Sequence, residues 1–79
     1  MAVQETEEFE GIHYPNWHGS PFDRGGADSW YDRGEQPHYY PNGTGNDPRI
    51  VPPQMKEAEI KAYLAGYKRN ELSGGKKDW

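Results

Sequence analysis

The sequence predicts a small all-α fold, two helices packed as an open hairpin and wrapped by an irregular N-terminal segment and a long aromatic loop. Three observations lead there. Ser20-Pro21-Phe22-Asp23 spells a helix start, and Ile60, Tyr63, Leu64 and Tyr67 recur at i, i+3, i+4 and i+7. The 79 residues hold only nine Leu, Ile, Val and Phe against eleven aromatics, so the core must be thin and built from rings.

Residues 1–10 read as a disordered acidic lead. Glu5, Glu7, Glu8 and Glu10 repel one another, and only Val3 and Phe9 could pack. Residues 11–72 form the single expected domain. Gly11 to Gly19 is too punctuated by Pro and Gly for a helix; as an extended segment it lays Ile12, Tyr14 and Trp17 against the helices. Ser20 caps the first helix, and Pro21 takes the first helical position, where its missing N–H is not needed. Asp23 completes a capping box at the positive end of the dipole. The helix is predicted over 21–33, with Gly34 as its left-handed stop. Phe22, Gly26, Ala27, Trp30 and Tyr31 share one face, and the small pair Gly26-Ala27 predicts close helix–helix contact there, which Gly26→Leu would overpack.

The connection over 34–52 carries turn formers at Asn42-Gly43 and Asn46-Asp47-Pro48, and Ile50-Val51 suits a brief extended contact. The second helix is predicted over about 55–70. Its apolar stripe is Ile60, Tyr63, Leu64 and Tyr67, flanked by the small Ala62, Ala65 and Gly66, and Glu57 with Lys61 makes an i, i+4 ion pair. Residues 73–79 are a tail whose Trp79 is either an anchor or an exposed hook.

Composition removes several classes of function. With no cysteine, neither disulfides nor thiolate metal centres staple the core, and a reducing cytoplasm is the expected compartment. No run approaches the roughly 20 apolar residues of a membrane span, and the acidic start is unlike a signal peptide. Residues 1–48 carry nine acidic and two basic side chains (net −7), residues 49–79 four acidic and seven basic (net +3). Such polarity steers charged partners toward either end.

Catalysis is not expected. No serine sits in a nucleophile motif, and Gly43-Thr44-Gly45 lacks the Lys-Ser/Thr pair and the helix of a phosphate cradle. His13, His18 and His38 with Asp23, Asp28 and Asp32 match no ligand spacing, and Asn42 to Asp47 lacks the acidic alternation and closing Glu of a calcium loop. Neither metal nor other cofactor is expected. Recognition is assigned to the loop, with Arg33, His38, Tyr39, Tyr40 and Arg49 as partner-binding residues. The loop is too long for a mere connector, Pro37 and Pro41 limit the entropy it loses on binding, and Tyr and Arg dominate binding hot spots. Tyr39 and Tyr40, adjacent in an extended stretch, face opposite sides, one toward the core and one toward a partner.

The string Ser20-Pro21-Phe22-Asp23-Arg24-Gly25-Gly26-Ala27-Asp28-Ser29-Trp30-Tyr31, then Pro37-His38-Tyr39-Tyr40-Pro41, Ala62-Tyr63-Leu64-Ala65-Gly66-Tyr67 and Lys77-Asp78-Trp79, resembles a group of short, mostly uncharacterised tailed-phage proteins over residues 20–79. That resemblance brings no activity with it; it implies a phage accessory protein that binds a host protein. A looser likeness of layout is to the ribosome modulation factor family, through Gly26-Ala27, Gly34, Pro37-His38-Tyr39 and Tyr63-Leu64-Ala65-Gly66-Tyr67. It implies a ribosome- or RNA-associated factor. That family is strongly basic whereas this chain carries −4, and phosphate neutralisation drives such binding. A protein partner is therefore the first expectation, nucleic acid the second, and an acidic DNA-mimicking decoy the third.

Overall fold

A computed structural model describes residues 6–76, in the order β1 (Thr6–Phe9), β2 (Ile12–Pro15), α1 (Pro21–Trp30) and α2 (Glu57–Ser73). The fold is mixed, and the all-α expectation fails at the N-terminal segment. β1 and β2 pair antiparallel, Thr6 opposite Pro15 and Phe9 opposite Ile12. The two residues between them, Glu10 (φ 53°) and Gly11 (φ 81°), both take positive φ, as the tight turns that match strand twist require. The usual first residue of such a turn is Asn, Asp or Gly, and a Glu there hides the hairpin from inspection of the sequence.

From Thr6 to Glu10 the expected acidic lead is a strand and turn whose carboxylates find cations on α2. Glu10 pairs with Lys68 at 3.1 Å, and Glu7 pairs with Arg69 while accepting from Asn16 Nδ2 at 3.1 Å. The rest of the expected lead, 1–5, and 77–79 of the expected tail, Trp79 included, lie outside the described residues. Tyr14 stacks on Phe22 with ring centroids 5.1 Å apart and ties β2 to α1.

α1 begins at the expected Ser20 cap, though Asp23 reaches back to Gly19 and not, as in a capping box, to the Ser20 N–H, which bonds to the Trp17 carbonyl. Ser20 Oγ accepts from the Asp23 N–H at 3.3 Å, and the Asp23 carboxylate accepts from the Gly19 N–H at 3.1 Å. Its end differs from the expected 33. The chain turns at Asp32 (φ 56°), whose N–H bonds to the Ser29 carbonyl at 3.0 Å while the Arg33 N–H bonds to the Asp28 carbonyl at 2.9 Å. That pair of bonds is the Schellman closure, with Asp in the place that glycine favours. Since a left-handed conformation strains any residue with a Cβ, Asp32→Gly is expected to stabilise the protein by about 0.5–1 kcal/mol. A thermal melt should rise by a few degrees.

α2 starts where the Glu59 carboxylate accepts from the Lys56 N–H at 2.7 Å, and it runs past the expected 70 to Ser73. Gly74 (φ 74°) ends it, and its N–H reaches the Asn70 and Glu71 carbonyls. The following residues fold back on α1: Asn70 Nδ2 donates to the Gly75 carbonyl and, at 2.8 Å, to Ser29 Oγ, while Lys76 Nζ donates to the Ser29 carbonyl at 3.0 Å.

The helices cross at Gly25 and Gly66. A Cβ on Gly25 would stand 1.9 Å from the Tyr63 carbonyl oxygen, and one on Gly66 would stand 2.0 Å from that of Phe22. Backbone lies on backbone, so large side chains are displaced to either side of the crossing. This corrects the expected stripe: Ala62, Tyr63, Ala65 and Gly66 form the buried face, while Leu64 is exposed. Gly26, expected at the contact, has only the Gly66 carbonyl at 3.7 Å from an added Cβ and borders an open groove beside Trp30. No helix among the described residues is long and apolar enough to cross a membrane.

Candidate protein-docking cleft

The chain between α1 and α2 is held by one buried carboxylate. Asp28, on the inner face of α1, accepts from the Tyr63 hydroxyl at 2.5 Å and from Arg33 Nε at 3.0 Å. The same Tyr63 oxygen accepts from the Gln36 N–H at 2.8 Å, so a single phenol joins α1, α2 and the loop. Burial, then the Asp28 carboxylate, pushes the Tyr63 phenol far above its ordinary range.

His38 sits inside this network at 3 % exposure. Its Nδ1 lies 2.6 Å from the Gln36 carbonyl, and its Nε2 accepts from Arg24 Nε at 3.0 Å. An arginine only donates, so these partners assign the neutral ring with its proton on Nδ1. Burial lowers the His38 pKa, aided by Arg49 and Arg24 and opposed by the Gln36 carbonyl and Asp28. The unfolded chain therefore binds more protons than the folded one as pH falls through about 6.5. Stability is expected to be fully present above that value and to decline as acid is added. His38→Gln should flatten the decline between pH 7 and 5 in urea midpoints; an unchanged slope would remove His38 as its source.

Of the five expected recognition residues only His38 is buried, but Arg33, Tyr40 and Arg49 also act on this network. Arg33 and His38 face Asp28 directly, and Tyr40 meets His38 edge-on with centroids 5.5 Å apart and lies under the Arg24 guanidinium at 5.5 Å. Arg49, exposed itself, acts on His38 by its charge. Tyr39 alone faces the other way. Its backbone bridges Ile50 (N–H to O 3.0 Å, and 2.9 Å in return), where the extended contact was expected, and the Tyr40 N–H bonds to the Gly19 carbonyl at 2.8 Å. The loop is thus pinned beside the start of α1 with Tyr40 turned inward and Tyr39 outward.

Tyr39 lines a cleft of about 290 Å³ with Pro15, Trp17, Pro21, Ala58, Glu59 and Ala62. Each wall comes from a different element: Pro15 ends β2, Trp17 lies in the link to α1, Pro21 opens α1, and Ala58 and Ala62 stand one turn apart on α2. Glu59 accepts from the Tyr39 hydroxyl, and that bond together with burial raises the Tyr39 pKa. Because Glu59 also accepts the Lys56 N–H, its carboxylate locks the rim. The sequence already placed Trp17 against the helices, but nothing in it linked Trp17 to Tyr39. The two are 22 positions apart, and the Tyr40–Gly19 bond brings their segments together. Comparison of the chain with protein-family models, curated proteins and solved structures finds no match.

Proposed function

We propose that this chain is a small non-enzymatic interaction protein that holds a protein partner on the Trp17–Tyr39 face. The carrying observation is that cleft, an apolar concavity whose aromatic walls are fixed by backbone bonds before any partner arrives. Preformed aromatic anchors lose little entropy on binding and are the residues that dominate interface energetics. The resemblance to tailed-phage proteins makes a host protein the proposed partner and the host cytoplasm the proposed compartment.

The nucleic-acid reading draws less support. A phosphate-binding patch would need Lys68, Arg69, Lys76 and Lys77; Lys77 lies outside the described residues, and Lys68 is paired with Glu10, Arg69 with Glu7, and Lys76 with Glu71 and Asp32. The same pairs take Glu7 and Glu10 away from the decoy reading, which requires free carboxylates along one surface. Affinity capture from host lysate, with and without nuclease, tests the proposal. The parent chain should retain a nuclease-resistant partner, and Tyr39→Ala and Ala58→Arg should each lose it while keeping the parent's circular dichroism. Retention of the partner by both variants, or its loss on nuclease treatment, would overturn the reading.

A further inference from the structure

From the chemistry of the cleft walls we infer that the ligand is a proline-containing segment in polyproline II conformation, flanked by a basic residue; this rests on the protein-binding reading above. Trp17 and Tyr39 line the cleft with aromatic surface of the kind that proline-rich segments dock on, and the prolines at 15 and 21 add walls without N–H groups. Ala58 and Ala62 add small side chains to the lining, and a cleft of about 290 Å³ holds only a few residues of a ligand. Strand addition is disfavoured because Pro15, at the end of β2, has no N–H to offer.

Hydrogen bonding points the same way. Glu59, the acceptor on the rim, already serves two donors, the Lys56 N–H and the Tyr39 hydroxyl. The cleft therefore has little use for donors on its ligand. A polyproline II chain fits that condition, because its prolines carry no N–H. Charge selects the flank. Glu59 is the one ionic side chain lining the cleft and residues 1–48 carry net −7, so a neighbouring Arg or Lys on the ligand is favoured and an acidic residue repelled.

Titration of the intact ¹⁵N-labelled chain with synthetic peptides tests this. The probes are a Pro-Leu repeat ending in Arg, the same repeat ending in Glu, and a Gly-Ser repeat. The Arg peptide is expected to move the Trp17 indole and the Tyr39 and Ala58 amide signals saturably, with the Glu peptide about fivefold weaker or worse. Ala58 is exposed on α2, so Ala58→Arg blocks the cleft without entering the core and should cost at least about tenfold in affinity. Equal binding of the Gly-Ser peptide, shifts confined to another face, or no shift up to about 1 mM would overturn the inference. The two readings fail separately. A captured protein lost in Ala58→Arg, with no peptide bound, leaves the face correct and the ligand class wrong; a protein still captured by Ala58→Arg removes the face itself.

Discussion

Gly25→Ala and Gly66→Ala should each cost the protein about 3 kcal/mol or more, whereas Gly26→Ala, one position away from the first, should leave it as stable or slightly more so. The added methyl carbon at Gly25 or Gly66 would stand within 2.0 Å of a carbonyl oxygen, and neither oxygen can swing aside because each belongs to the facing helix backbone. Overpacking of side chains already costs about 1–3 kcal/mol, and here the helices themselves must separate. Gly26 meets nothing nearer than 3.7 Å, so alanine there fits and gains up to about 1 kcal/mol of helix propensity. Urea unfolding followed by circular dichroism ranks the three. A Gly26→Ala variant as damaged as the other two would mean that the crossing point lies elsewhere.

Asp28→Ala is expected to cost about 3–5 kcal/mol, the range for removing one member of a buried charged network. The loss is broad because one carboxylate serves several clients. Arg33 and the Tyr63 hydroxyl lose their acceptor, Arg24 loses its counter-charge at 4.0 Å, and the tie from Tyr63 to the Gln36 N–H loses its orientation. Tyr63→Phe, which keeps the ring and removes only the hydroxyl, should cost less, about 1–3 kcal/mol, leaving the Gln36 N–H without its partner. Domains of this size hold only a few kcal/mol in reserve, so Asp28→Ala should be largely unfolded at 37 °C. A folded Asp28→Ala chain with the parent's melting temperature would show the network to be dispensable.

Signals that act within a few residues were legible in the sequence. Ser20, Pro21 and Asp23 fix the start of α1 through contacts no longer than one helical turn, and the structure keeps them. What escaped depends on partners distant in sequence or on residues outside the common choices. The hairpin turns on Glu10 instead of Asn or Asp, and its acidic strand is tolerated only because Lys68 and Arg69 lie across from it. α1 ends at Trp30 and the chain turns out of it at Asp32, ahead of the more obvious Gly34. The small residues were read as one contact face, yet which of Gly25 and Gly26 touches α2 depends on the crossing geometry, which spacing alone does not give. Of the expected recognition residues, His38 is interior because Arg24, Asp28 and Gln36, which lie 14, 10 and 2 positions before it, converge on it. Only the alternation of Tyr39 and Tyr40 was readable, since it follows from backbone geometry.

The pairing of the hairpin with α2 makes the N-terminal segment a built-in counterion. Any RNA or DNA seeking Lys68 and Arg69 must first evict Glu10 and Glu7, which are tethered to the same chain and so compete at a high local concentration. A protease that cut at the Glu10-Gly11 turn and released the first strand would uncover those two cations and raise the formal net charge of the remaining chain from −4 to 0. The clipped form, unlike the whole protein, would be retained on a phosphocellulose or heparin column.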